Sequence, residues 1–239
     1  MPSGWGLVFD LVGDGGYPGI PAYAGASDLT PASVSVTGWL ANSGYNANKI
    51  YNSTYFLNAI PADVSIANGT LTMVGSSIGQ SELGSGGTSA YDSYWYEYDP
   101  AANFWHGLEI AGPVDLGSRK VVLIVKGADV TLKGNINLTK GSGFFLLVAN
   151  NIIVDPTVGG GGYNLEGIYV SDGQFQTGLA ATQLWVRGTV AAYGGVSLDR
   201  DLGDNSTTPA ELFEYAPDLE LLFPGVIAAH PMSWQEVAP

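Results

Sequence analysis

The chain has 239 residues, enough for one large β domain or two small ones, with 46% hydrophobic but only 13% charged residues. Its 22 acidic and 8 basic side chains leave a net charge of −14, which repels phosphate backbones and anionic lipid and removes nucleic acid from the expected partners. No Cys is present, so disulfides and thiolate metal sites are excluded, and no run reaches the ~18 consecutive apolar residues of a membrane span.

The 34 Gly and 13 Pro punctuate the chain too often for long helices and supply the turns that many short strands need. Val, Ile, Leu and aromatics are too regularly placed for disorder. The start, Met1-Pro2-Ser3-Gly4-Trp5, has neither the basic beginning nor the apolar run of a signal peptide. An exported protein of this kind is therefore expected to be a piece of a longer chain.

Residues 1–40 are rich in turns around Gly13-Asp14-Gly15-Gly16 and Tyr17-Pro18-Gly19, with short strands expected at Gly6–Leu11 and Ser33–Leu40. The Tyr-rich stretch that follows suits one short helix at Ser53–Ala59, ended by Pro61. A strand is expected at Thr70–Val74, then an exposed Gly/Ser/Thr loop over 75–90. Tyr91–Asp99 reads as a strand that puts Tyr94, Tyr96 and Tyr98 on one face and Trp95 on the other.

From residue 121 the pattern repeats. The runs Leu123-Ile124-Val125, Leu146-Leu147-Val148, Ile168-Tyr169-Val170 and Leu184-Trp185-Val186 start 23, 22 and 16 residues apart. Each leads through a turn rich in Gly, Asn or Asp into a second strand, beginning at Val130, Ile152, Phe175 and Val190. Such a unit cannot bury its apolar strand alone, but stacked copies align like side chains into one interior. The predicted fold is all-β, a right-handed parallel β-helix, with an antiparallel β-sandwich as the alternative. Runs such as Phe144–Val148, apolar on both faces, favour the solenoid.

After residue 201 the repeat stops. Thr208-Pro209-Ala210-Glu211 matches a capping box with Pro at the first helical position, predicting a short helix to about Tyr215. Pro217, Pro224 and Pro231 segment an apolar tail, expected to fold back over the last coil. Three regions follow: a β-rich part at 1–110, as irregular first coils or a separate subdomain; coils at 111–207; and a cap at 208–239.

Several segments carry a resemblance: Ile168–Val190, Ser197–Leu202, Pro209–Leu219 and the terminal Trp234-Gln235-Glu236-Val237-Ala238-Pro239. Together they resemble the C-terminal β-solenoid region of large, adhesin-like surface proteins of uncultivated bacterial lineages. The resemblance spans about 110–239. It implies an extracellular or cell-surface location and a natural C-terminus here, and it carries over no catalytic residue.

Candidate sites are few. Tyr94, Trp95, Tyr96 and Trp105 would stack on sugar rings if exposed, or else pack into the core. Asp199, Asp201 and Asp204 form an oxygen-rich cluster that suits calcium, with turn-stabilising carboxylates around Arg200 as the plainer reading. Asp10 and Asp14 only echo a calcium loop. A polysaccharide lyase or glycoside hydrolase would need facing carboxylates, for which Asp155, Glu166, Asp172, Asp199 and Asp201 are the candidates. The two histidines, His106 and His230, show no Ser–His–acid pattern. The Asn-x-Ser/Thr matches at Asn52, Asn68, Asn137 and Asn205 are those an Asn- and Thr-rich chain gives by chance. The expected function is thus a non-catalytic surface module with a structural or adhesive role. Glycans, other surface proteins and further copies of itself are the expected partners, calcium is the candidate ion, and membrane insertion is not expected.

Overall fold

The computed structural model describes residues 51–64, 77–87, 89–100, 107–205 and 208–228, together with two dipeptide strands, β1 (Ala22–Tyr23) and β2 (Ala41–Asn42), which pair in parallel. The strands expected at Gly6–Leu11, Ser33–Leu40 and Thr70–Val74 lie outside these residues. Helix α1 (Ser53–Ala59) forms where the Tyr-rich pattern predicts it, with the Asn52 side chain accepting from the Tyr55 N–H.

From β3 (Ser77–Ile78) onward the chain winds into a parallel β-solenoid of about four turns. A π-helical turn at Gln80–Gly84 and a hairpin, β4 (Ser89–Ala90) and β5 (Ser93–Tyr98), open the stack. Then come β6 (Gly107–Ile110), β7 (Val114–Gly117) and β8 (Lys120–Val125), followed by β9 (Asp129–Leu132), β10 (Ile136–Leu138) and β11 (Phe144–Ala149). β12 (Ile152–Val154) and β13 (Leu165–Ser171) form the next turn, β14 (Phe175–Gln176) and β15 (Leu184–Ala192) the one after. β16 (Val196–Ser197) and β17 (Glu211–Glu214) close the stack, and α2 (Pro217–Leu221) and α3 (Gly225–Ala228) follow.

Three ladders run along the coil axis. The broad one orders β17-β15-β13-β11-β8-β5, all parallel, and among the described residues only the β4–β5 hairpin is antiparallel. The second orders β16-β14-β12-β9-β6-β3, and a short third face is made by β7, β10 and the start of β13. Parallel pairing throughout the coils excludes the sandwich alternative.

Like side chains stack in register. Leu108, Val130, Ile152, Phe175 and Val196 are successive partners, as are Tyr96, Leu123, Leu147, Tyr169 and Val190. Most of these side chains are fully buried in the lumen, each worth about 1.5–3 kcal/mol of transfer free energy. Phe145, Tyr169 and Phe175 meet edge to face there, with centroids 6.1 Å apart. At the corner between the broad and second ladders, Asp129 Oδ1 accepts from the Asn150 and Asn151 side-chain amides, and Asn151 Oδ1 accepts from the Gln174 N–H. The turn Asn and Asp residues thus bond from coil to coil.

Register corrects the spacing read from the apolar runs. Ile168 pairs with Thr189, so the last step is an ordinary turn of the coil; Leu184 pairs instead with Glu211. Val190 accordingly belongs to the broad sheet, and the second-ladder strand begins at Val196. The cause is a corner without a loop. β13 and β15 each run through two faces, bending at Gly167 (φ 146°) and Gly188 (φ 138°), which are register partners.

One further expectation is overturned. The helix predicted over 208–215 is a strand, because Glu211–Glu214 pairs with Leu184–Arg187 and long-range pairing outweighs a local capping signal. Beyond β17, which adds a rung to the last coil, the described tail turns onto the side of the stack. Ala216, Leu219 and Ile227 join Phe56 and Val64 in covering the outer face of the broad sheet, against Trp95, Val122, Ile124, Phe144, Leu146, Val148, Ile168 and Val170. That second core explains why these strands are apolar on both faces. The loop expected at 75–90 is likewise anchored, with Ile78 and Leu83 buried.

Candidate functional site

The alternation of β5 divides its aromatics. Tyr96 points into the lumen and is 3% exposed, its hydroxyl lying 2.8 Å from the Glu82 carbonyl and 2.7 Å from that of Gly86. Trp95 points outward under the helices, is 2% exposed, and donates its indole N–H to the Ala90 carbonyl at 2.8 Å. Stacking on a sugar needs an accessible ring face, so Trp95 and Tyr96 are core residues and not binding residues. Trp105 lies outside the described residues, as do Asp10, Asp14, His106 and His230.

Tyr94 differs. It is half-buried, and the Arg119 guanidinium carbon lies 3.5 Å from its ring centroid. Both line a pocket of about 220 Å³, completed by Ser89, Asp92, Ser118 and Lys120. Two tight turns build it. The first is the β4–β5 hairpin, where Ala90 pairs with Ser93 and both connecting residues, Tyr91 (φ 52°) and Asp92 (φ 60°), are left-handed. This is the geometry of a type I′ turn, here without the glycine that relieves it, at roughly 1–2 kcal/mol per residue. Tyr91 donates its hydroxyl proton to Asp63, and Asp92 forms an ion pair with Lys120.

The second turn, Leu116–Arg119, is closed by the Arg119 N–H on the Leu116 carbonyl at 2.9 Å, with Gly117 at φ 54°. It delivers Arg119 beneath the π-helical turn, where Nε donates to the Leu83 carbonyl at 3.1 Å and Nη2 to that of Gly86. The guanidinium is therefore clamped on a ring face and two carbonyls before any ligand arrives. Tyr94 was legible as an aromatic candidate, but as a platform for Arg119 it was not. One signal was present: among the eight basic residues, Arg119 and Lys120 are the only adjacent pair.

The other carboxylates are committed to the scaffold. Asp172 accepts from the Ser53 hydroxyl at 2.7 Å and from its backbone N–H, pinning α1 to a coil turn. Asp155 accepts from the Thr157 hydroxyl at 2.6 Å and its N–H at 2.9 Å, and these bonds hold its carboxyl below the ordinary value. Glu166 is buried beside Arg187 at 3.3 Å, and Arg187 in turn meets Asp218 of α2 at 2.6 Å. Burial pushes the Glu166 carboxyl up despite Arg187 and the Leu138 N–H that it accepts. Burial also works to raise Asp218, yet its hydrogen bond from Arg187 brings that carboxyl below the ordinary value.

Asp199 accepts from the Ser197 hydroxyl at 2.8 Å, and Asp201 accepts from the Gly203 N–H at 2.8 Å and the Asn205 amide at 3.3 Å. Asp204 lies between these turn residues in sequence. Among the described residues, no group of three or more His, Cys, Asp or Glu side chains is arranged to hold a metal ion. Arg200, taken in sequence as the partner of these acids, is fully buried and donates from Nε to the Thr177 carbonyl at 3.0 Å. Compared with known family models, curated proteins and solved structures, the chain finds no match.

Proposed function

We propose that this chain is a non-catalytic module of a cell surface, a stiff solenoid that presents its edges and loops to glycans or to neighbouring surface proteins. The observation that supports this most directly is the commitment of the coil carboxylates. Asp155, Asp172, Glu166, Asp199 and Asp201 each hold a turn, a helix or an arginine in place. A glycosidase needs two carboxylates facing a substrate across a groove, free to exchange protons and to approach the scissile bond. Here such groups serve as fasteners. The low charged fraction and the hydroxyl- and amide-rich sequence also suit contact with neutral polysaccharide, and the surplus of acid disfavours anionic polymers.

The test is incubation with neutral and acidic polysaccharides, with and without calcium, followed by co-sedimentation and by measurement of polymer length. Retention of polymer at unchanged length is the expected result. Shortened polymer would overturn the proposal and direct attention to Asp172, Asp199 and Asp201.

A further inference from the structure

We propose that the pocket between the β4–β5 hairpin and the β7–β8 turn binds one acidic sugar residue, with its carboxylate on Arg119 and its ring hydroxyls on Ser89, Ser118 and Asp92. This rests on the glycan-binding reading above and adds a site and a ligand class to it. A guanidinium carries five N–H donors. The Leu83 and Gly86 carbonyls take two. The donors left over suit the paired oxygens of a carboxylate. Because Arg119 is already fixed against Tyr94, little side-chain freedom is lost when that pair forms.

Charge and size narrow the ligand further. Lys120 is neutralised by Asp92, so the pocket offers one net positive charge on a chain whose net charge is −14. That combination admits a single carboxylate on an otherwise neutral glycan and rejects a polyanion, which the surrounding field repels. At about 220 Å³ the pocket is smaller than the ~300–1,000 Å³ sites of drug-sized ligands, which suits one sugar ring and not a longer oligosaccharide. Apart from the Tyr94 ring, the lining consists of hydroxyls and charged groups. Ser89, Ser118 and the exposed Asp92 offer the hydrogen bonds that sugar hydroxyls require. The strained turn at Tyr91 and Asp92 holds that carboxylate at the rim, and strain of this sort is retained where surrounding structure over-determines it.

The experiment is calorimetric titration of the whole chain with methyl glucuronide, methyl glucoside and sodium sulfate, repeated on Ser118→Asp. Ser118 is exposed in a tight turn that tolerates Asp, so the variant brings a competing carboxylate to Arg119 without disturbing its bonds to Leu83 and Gly86. The glucuronide is expected to bind about tenfold or more tightly than the glucoside and than sulfate. Ser118→Asp should weaken it by about tenfold at an unchanged melting temperature. Equal binding of the glucoside would remove the role of Arg119, and equal binding of sulfate would reduce the pocket to a simple anion site. Unchanged binding in Ser118→Asp would place the ligand elsewhere. In each of these cases, polysaccharide still retained in co-sedimentation would leave the surface-module reading standing; loss of both would end both.

Discussion

Glu211 and Arg200 place charge at a level of the stack where the preceding coils bury aliphatic side chains. Glu211 is the register partner of the lumen residue Leu184 and is 3% exposed. Its Oε1 accepts from the Thr177 hydroxyl at 2.8 Å and from the Arg200 N–H at 2.9 Å. Burial nevertheless dominates and pushes its carboxyl above the ordinary 4.5. The folded chain therefore holds this proton more tightly than the unfolded chain. The associated stability is fully present below about pH 4.5 and is lost as pH rises through the folded-state value. Glu166 acts in the same direction, whereas Asp155 and Asp218, held below their ordinary values, contribute stability that is lost as pH falls. Glu211→Gln should thus flatten the decline in urea midpoint as pH is raised from about 4.5 to 7. An equally steep decline in the variant would show that the Glu211 carboxyl is not its source.

At the scale of elements, the corner glycines decide how a coil closes. A Cβ on Gly188 would sit 1.9 Å from the Gly167 carbonyl oxygen, with the backbone already at positive φ. Neither term can be relieved by rotating a side chain, because the obstacle is the next coil's main chain. Gly188→Ala is expected to cost at least about 2 kcal/mol in denaturant unfolding or to prevent folding. Gly161 supplies the control: nothing lies within 4 Å of its Cβ position, so Gly161→Ala should stay within about 0.5 kcal/mol. Similar losses in both would mean that glycine content in general, and not the bend at 167 and 188, limits the fold. The same corner explains why the repeat looked shortened at Leu184. An apolar run marks a strand, but it does not say on which face of a coil that strand lies.

For the molecule as a whole, the stack is held by coil-on-coil burial while a net charge of −14 pushes its surface apart. Screening should relieve that repulsion, so the melting temperature is expected to rise between about 10 and 150 mM NaCl. The commitment of Asp199 and Asp201 to Ser197, Gly203 and Asn205 further predicts no special effect of calcium. At matched ionic strength, EDTA should leave the melting temperature unchanged and CaCl₂ should match NaCl. A selective rise with CaCl₂ would restore Asp199, Asp201 and Asp204 as a cation site.

The sequence by itself determined what depends on near neighbours: short strands from period-two patterns, Gly and Asn turns between them, the helix at Ser53–Ala59, and a repeat that only stacked coils can bury. Only the tertiary structure decided what depends on the chain alongside. It turned Glu211–Glu214 into a strand, moved Val190 into the broad sheet, and laid the segment from Ala216 to Ile227 on the outer face of that sheet. It also buried Trp95 and Tyr96 and left Tyr94 beneath Arg119 at a pocket whose walls come from two separated segments. Alternation along a strand says which residues share a face. Whether that face meets water, the lumen or a helix is set by pairings far apart in sequence, and no local pattern encodes them.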